Sequence, residues 1–278
     1  MLPPSSRLRT IVPHHTCGIL DFTKDDSTVD WYFLGDVHGD LSCLTWTFDY
    51  LRHLPDFRLC FLGDLFDRGP DEKRCIDLFV EFAIEHSGKV VWIAGNHDVP
   101  GNHGMSNPAM SGFEDWLITL PVAAWFPNGI VATHGGWTKQ AFPSPPIPAN
   151  QLTPEQRRTL QTTRLAQFPN EANEELDNLP TFSPQDLAYS ASKGFPPIRL
   201  LIRGHDHPME GYCFLQEPKQ PGILTLLGST QLGIQFYPKL HRRWTTLAKV
   251  SQSGIIDLLR IDSTGNGEVI ERLSWRGK

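Results

Sequence analysis

The sequence predicts an α/β fold in which two mixed β-sheets pack face to face as a sandwich flanked by helices. Three observations carry this reading. Through the first hundred residues, short apolar runs alternate with segments of helical period, the signature of βαβ units and a mainly parallel sheet. Toward the C-terminus, apolar runs are separated by turn signals such as Ser253-Gly254 and Gly265-Asn266-Gly267, which suit antiparallel hairpins. Five short motifs rich in Gly, Asp, Asn and His each follow an apolar run. Ligand sites of open α/β sheets lie outside the carboxyl ends of the strands.

Taken in order, residues 29–35 (VDWYFLG) read as a buried strand. A helix follows from Leu41 to Leu54, because Leu41, Leu44, Phe48 and Leu51 recur at helical spacing and Pro55 stops it. Residues 58–63 form the second strand. Pro70 stands where a helix can start, and Ile76, Phe79, Val80 and Ala83 give that helix an apolar stripe. Residues 89–94 and 129–133 are further strands, the latter ending at His134. Residues 141–150 are proline-rich and read as an extended surface loop. Thr153-Pro154-Glu155-Gln156 fits a capped helix start, as does Ser183-Pro184-Gln185-Asp186. The polar segment 138–197 reads as a helical or irregular cap within a single domain spanning 1–278. Strands return at 199–203, 222–227, 244–250, 255–261 and 268–274.

The chain has 278 residues, 40% hydrophobic and 20% charged, which suits one large core or two small ones and excludes disorder. The net charge of -6 argues against a nucleic-acid partner, whose usual footprint is a basic patch. Cys17, Cys43, Cys60, Cys75 and Cys213 are widely spaced and odd in number, which fits a reducing compartment. The N-terminal stretch has no apolar signal-peptide core, and no apolar run approaches membrane length. The expectation is a soluble, cytoplasmic protein with no membrane partner.

The motifs are Gly35-Asp36-Val37-His38-Gly39, Gly63-Asp64-Leu65-Phe66-Asp67-Arg68-Gly69, Gly95-Asn96-His97-Asp98, His134-Gly135-Gly136 and Arg203-Gly204-His205-Asp206-His207. Asp, Asn and His supply the oxygen and nitrogen ligands that hard and borderline divalent metals prefer. Singly each motif is weak: an Asp-x-His is common by chance, and a lone Gly-Asn-His is an ordinary turn. Five together, all at strand ends, point to a dimetal site. Two cations roughly 3.5–4 Å apart lower the pKa of a bridging water and clamp phosphoryl oxygens for in-line displacement, so the pattern reads as a two-metal phosphoesterase. Asp64 is the candidate bridge. Asp36 and His38 reach one ion if their loop bends, which Gly35 and Gly39 permit. Asn96, His134 and His205 offer neutral ligands to the second ion. His14, His15, His53, His86, His103 and His241 lie outside the motifs and read as ordinary histidines. Trp31, Trp92, Trp116 and Trp125 lie in apolar runs and read as core.

The order GDVHG, GDLFDRG, GNHD, HGG, RGH resembles the phosphoprotein phosphatase family of the calcineurin-like metallophosphoesterase superfamily, bacterial type included. The family pattern is GDxHG, GDxVDRG, GNHE, HGG and R-[AG]-H. Leu120 to Ala124, Gly211 to Phe214 and Leu226 to Thr230 also resemble family segments, so the likeness runs from about residue 30 to 235. The resemblance implies a phosphoserine/phosphothreonine phosphatase, extending to phosphotyrosine, in which a metal-bridging hydroxide attacks phosphorus directly without a phosphoenzyme. It implies that Asp36, His38 and Asp64 hold the first metal, and Asp64, Asn96, His134 and His205 the second. His97 is the implied general acid, oriented by Asp67. Arg68 is the implied phosphate-gripping residue, with Asn96 and His97 beside it. Manganese is the first expectation for the two ions, with iron and zinc also accepted, and the expected partner is a phosphorylated protein or peptide.

Three departures stand out. GNHD replaces GNHE. His207 is an additional histidine, which in the wider superfamily's G-H-x-H motif serves the first metal, against an alternative role beside the ligands. The segment between HGG and RGH lacks the Asp-Arg-Gly that supplies a second phosphate arginine, leaving Arg157, Arg158, Arg164 and Arg199 as candidates. A symmetrical dinucleoside tetraphosphate hydrolase is the second reading, because that family shares most of the motifs; the Asp67-Arg68 pair favours the protein phosphatase. A non-catalytic scaffold of the same fold is disfavoured because every expected ligand and the acid are present.

Overall fold

The computed structural model describes residues 17–25, 28–101, 107–138, 146–166, 180–193, 198–231 and 242–274. His14, His15, His103 and His241, residues 141–145 of the proline-rich loop, and 167–179 and 194–197 of the cap segment lie outside the described residues. The first half of the chain forms β1 (Cys17–Asp21), β2 (Trp31–Leu34), α1 (Leu41–Arg52), β3 (Arg58–Phe61), α2 (Glu72–Glu85), β4 (Val90–Trp92), α3 (Glu114–Leu117), β5 (Ala123–Phe126) and β6 (Ile130–Thr133). The middle forms β7 (Ile147–Pro148), α4 (Pro154–Thr162), β8 (Arg164–Leu165), β9 (Thr181–Phe182) and α5 (Pro184–Lys193). The remainder forms β10 (Leu200–Arg203), β11 (Tyr212–Leu215), β12 (Gly222–Leu226), β13 (Trp244–Val250), β14 (Ile255–Asp262) and β15 (Gly267–Ser274).

The strands build a seven-stranded sheet ordered β11-β12-β10-β6-β5-β1-β7 and a six-stranded sheet ordered β15-β14-β13-β2-β3-β4. The expected two-sheet α/β sandwich is thus present. Both sheets are mixed. β2, β3 and β4 run parallel, joined by crossovers through α1 and α2. β6, β10 and β12 run parallel in the other sheet. β13, β14 and β15 form the antiparallel meander that the turn signals predict.

Burial explains why β2 and β3 read as continuous apolar runs. Alternate residues Phe33, Cys60, Ala124, Ile202, Leu224 and Ala248 fill the layer between the sheets. Their neighbours Tyr32, Leu34, Phe61 and Trp92 face the other way, against Phe48, Phe79 and Phe82 of α1 and α2. A strand covered on both faces keeps no polar side. Phe48 and Phe82 stack with centroids 3.9 Å apart, and Phe48→Ala would cost about 3–5 kcal/mol through transfer and cavity effects. Trp31, Trp92, Trp116 and Trp125 are all core residues.

β1, β5 and β11 are strands that the sequence reading does not mark. Ala123 and Ala124 lack β propensity, yet both are fully buried between neighbouring strands. Packing on two sides decides their conformation, not intrinsic preference. The capping box at Thr153 and Gln156 is present with both reciprocal bonds, at 3.1 and 2.9 Å.

The two sheets are joined at the ligand end. Asp36, just past β2, forms a parallel bridge with Leu227, just past β12, and Ser229 N–H donates to Asp36 O at 2.8 Å. Gly35 permits the approach: a Cβ there would collide with the Leu226 carbonyl oxygen. At the opposite end, a shallow apolar cleft opens between Trp31, Phe33, Phe126, Ile130 and Val250. Among the described residues no helix is long and apolar enough to cross a membrane.

Candidate metal centre

All five motifs sit on loops that leave the carboxyl ends of β2, β3, β4, β6 and β10, and the join between the sheets brings those ends together. The loops are tightly bent. His38, Asp64, Asp67, Arg68 and His205 all have positive φ, between 49° and 71°. For non-glycine residues such backbone persists where the surroundings over-determine it. Here Val37 and His38 N–H both donate to Asp64 O, at 3.0 and 2.9 Å, and Gly39 N–H donates to Leu65 O at 2.7 Å. A Cβ at Gly69 would strike the His38 carbonyl oxygen, so the first two motif loops touch backbone to backbone.

Two clusters of potential ligands result. Asp36, His38 and His207 form one, and Asp64, His134 and His205 the other; within each, the ligand atoms all lie within 4.8 Å of one another. All six side chains are buried. Asp64 Oδ2 lies between the clusters, 3.7 Å from His38 Nε2 and 3.2 Å from His134 Nε2. His207 Nε2 lies 3.2 Å from Asp36 Oδ2. Asn96 Oδ1 lies 3.1 Å from His134 Nε2.

The donor set fits divalent cations. His38 Nδ1 donates to Phe66 O at 2.9 Å and His134 Nδ1 to Leu62 O at 2.8 Å. At His38 this leaves the Nε2 lone pair facing the cluster, the tautomer that metal ligation needs. Nε2 of both His38 and His205 is buried without a hydrogen-bond partner, a costly state unless a cation accepts the lone pair. At His134, Nε2 faces the Asp64 carboxylate and the Asn96 carbonyl oxygen, a point where a divalent cation would take the place of the ring's second proton.

The electrostatics follow from this crowding. Burial, then the Arg68 charge, holds His38 well below the usual histidine range. Burial likewise lowers His207, despite its bond to Asp36. His205 is held low by burial and by His134 and Arg203. His134 differs: burial opposes its charge, yet Asp64 and Asp36 push it up to about 9. Asp64 is also opposed by burial, but His134, His97 and His38 hold it well below the usual carboxylate range.

Beside the clusters, His97 Nδ1 lies 2.7 Å from Asp67 Oδ2. Arg68 reaches both rings of the rim, with Nη2 3.2 Å from His97 Nε2 and Nη1 3.3 Å from His207 Nε2. His97 N–H donates to Asp64 Oδ1 at 2.8 Å, tying this group to the candidate bridge. Every site residue singled out in the sequence therefore lies in this one region. Of the four spare arginines, Arg158 and Arg199 are exposed and Arg157 caps the carbonyls of Ile118 and Leu120. Arg164 bears on the site, with Nη1 3.5 Å from Asp206 Oδ1.

Other residues hold the ligand loops, and their roles were not apparent from the motifs. Asp98 is fully buried and accepts N–H donors from Asp64, Leu65 and Gly95 and the Trp92 indole, at 2.8–3.1 Å. It stitches the second motif loop to the third. Burial and Asp64 push its carboxyl up to about 6. Arg203, also fully buried, donates to Gly135 O, Thr163 O and Asp206. Asp40 accepts Thr230 N–H and Oγ1–H, both at 2.6 Å, fixing the segment after β12. Gln161 donates to Gly95 O at 3.2 Å. Asp98, Arg203 and Asp40 lie in or beside motifs; Gln161 carries no local signal.

This fold and this paired cluster of Asp, His and Asn define a class, and residues 32–209 match the calcineurin-like phosphoesterase family. The chain belongs to that family and is a metallophosphoesterase. Its resemblance to the phosphoprotein phosphatases is borne out by its relatives. It is 30% identical over 114 residues to the serine/threonine-protein phosphatase PP1-delta of Caenorhabditis elegans, a match spanning 37% of each chain. It is 26% identical over 254 residues to a catalytic subunit of protein phosphatase 2A from Dictyostelium discoideum, covering 79% of this chain and 78% of that one. In fold it is similar to a protein serine/threonine phosphatase of Saccharomyces cerevisiae with similarity to human phosphatase PP5, at a TM-score of 0.65 and 16% identity, over 98% of this chain and 90% of that one.

Proposed function

We propose that the chain is a metal-dependent phosphoprotein phosphatase that hydrolyses phosphoserine and phosphothreonine, and extends to phosphotyrosine. The observation that carries this reading is the Asp67–His97–Arg68 group set beside two ligand clusters. Asp36, His38, His207 and Asp64 would hold one divalent cation and Asp64, Asn96, His134 and His205 the other. The pair, manganese by expectation, supplies a water of lowered pKa and neutralises phosphoryl charge.

The chain's own residues do the rest. Arg68 offers a planar fork of N–H donors that matches phosphoryl oxygens. Its Nη2 lies 3.2 Å from His97 Nε2. A phosphoryl group entering there takes the guanidinium donors and leaves His97 Nε2 to carry a proton. Asp67 at Nδ1 stabilises that positive ring and aims it. His97 then gives the proton to the leaving serine or threonine oxygen, which could not depart as an alkoxide. Asn96 and His97 complete the contacts to the phosphoryl oxygens. Within one domain, the segment 138–197 serves as a cap, its described part reaching this region where Gln161 donates to Gly95 O. The partner is a phosphorylated protein or peptide, and the compartment is the cytoplasm.

The test is a substrate panel: metal-reconstituted enzyme on phosphoserine, phosphothreonine and phosphotyrosine peptides beside diadenosine tetraphosphate. Phosphoserine or phosphothreonine peptides are expected to have the highest kcat/KM. A tenfold advantage for the dinucleotide would replace this reading with the dinucleoside tetraphosphatase.

A further inference from the structure

We propose that Asn107, anchored by Glu72, is the positioning residue that holds Asp67 in the orientation facing His97. The inference rests on the reading of His97 as the general acid and adds to it a residue from outside the five motifs.

The geometry starts from the Asp67 carboxylate. Oδ2 meets His97 Nδ1 at 2.7 Å, and Oδ1 accepts from Asn107 Nδ2 at 3.0 Å. Two donors on two different oxygens fix both the position and the plane of the group. The Asp67 side chain is 35% exposed, so without Asn107 water has access to compete for it. The second hydrogen of the Asn107 amide goes to Glu72 Oε2 at 2.7 Å, and Asn107 Oδ1 accepts Ala109 N–H at 2.9 Å. All three polar positions of the amide are therefore used. The reversed amide would set its oxygen against two carboxylates, so only this orientation is satisfied.

Asn107 is itself held from both sides. It caps the short 3-10 turn Pro108–Met110, which Met110 pins into the core. Glu72 begins α2 and packs against Gly39, where an added Cβ would come within 2.9 Å of its Cγ. The anchor is thus built on a helix end and the first motif loop. The chain Glu72–Asn107–Asp67–His97 runs from rigid structure to the proton donor, as partners beyond the ligands do at metal sites.

The test uses the full chain loaded with manganese. Asn107→Ala should lower kcat on a phosphoserine peptide about tenfold, at the low end for such outer partners. KM, metal content and kcat on an aryl phosphate with an acidic phenol should stay within about twofold, because a good leaving group needs little help from an acid. The second readout is a cycle with Asp67→Asn. The double variant should be no slower than Asp67→Asn alone, because Asn107 acts only through Asp67; multiplicative losses would overturn the proposal. Glu72→Gln, which keeps the shape and removes the charge, should show the same substrate selectivity in weaker form if Asn107→Ala folds poorly. Equal losses on both substrates in that variant would likewise overturn it. His97→Asn separates the two levels of the argument. If it too loses both substrates equally, the acid reading fails; if it is selective and Asn107→Ala is not, only the positioning role fails.

Discussion

In the cluster of Asp36, His38 and His207, His207 lies against the Arg68 guanidinium, whereas in that of Asp64, His134 and His205, His134 is pressed between the Asp64 and Asp36 carboxylates. The clusters are neighbours of similar composition, yet they differ in how they carry charge before any cation arrives. In the first, burial and Arg68 keep His38 and His207 neutral. In the second, Asp64 and Asp36 hold a proton on His134 up to about pH 9. The first is prepared for a cation and reaches Arg68 and the rim. The second would exchange a proton for its cation, while both are tied to the backbone alike, His38 through Phe66 and His134 through Leu62.

The change with the largest expected effect removes the residue common to both clusters. Asp64→Asn should abolish turnover and cost the protein both ions, measured by metal analysis after dialysis. Two retained ions with near-normal turnover would show that Asp64 does not bridge. Next comes the chemistry beside the first cluster. His97→Asn should slow phosphoserine hydrolysis about 10²–10⁴-fold, the range for a general acid, and an activated aryl phosphate far less, with both ions retained. Asp67→Asn should act in the same direction more weakly.

His207→Ala should divide the clusters, weakening one ion and leaving the other. An experimental structure with metal should place a His207 nitrogen about 2.0–2.3 Å from the first ion. His207 turned to a carboxylate or to solvent, with both ions in place, would assign it to the alternative role. The smallest effect is a single proton. Free histidine titrates near 6.5, so a His134 raised to about 9 adds stability that is complete below about pH 6.5 and lost as the pH passes about 9. The metal-free Tm should fall across that window. Metal uptake at pH 7.5 should release about one proton, from the second cluster alone. Calorimetry in buffers of differing ionisation enthalpy measures it, and no release would remove the distinction drawn between the clusters.

The motif loops were legible in the sequence because each is a local pattern: an apolar strand, a glycine and a ligand within five residues. The longer helices announced themselves by period and caps, as with Leu44, Phe48 and Leu51, whereas the one-turn α3 (Glu114–Leu117) carried no such signal. What was not legible depends on chain segments far apart. Asn107 reaches Asp67 and Glu72 across 40 and 35 positions, and Gln161 reaches Gly95 across 66. Neither residue type signals such a role by itself. Asp98 was visible as a change from the family's glutamate, but its four N–H partners come from two loops and a strand that only folding assembles. β5 was hidden for a related reason, since Ala123 and Ala124 become strand through burial on both sides.

The bridge between Asp36 and Leu227 has a mechanical consequence. Two stacked sheets can rock against each other, and the amplitude is smallest where they are fastened. Here backbone hydrogen bonds fasten the ligand end, while at the other end the Asn128 side chain reaches Gln252 O at 3.1 Å beside the apolar cleft. At the site the fastening is direct: His205 N–H donates to Asp36 Oδ1 at 3.0 Å, so the Asp36 loop of one sheet and the His205 loop of the other hold each other at a fixed spacing.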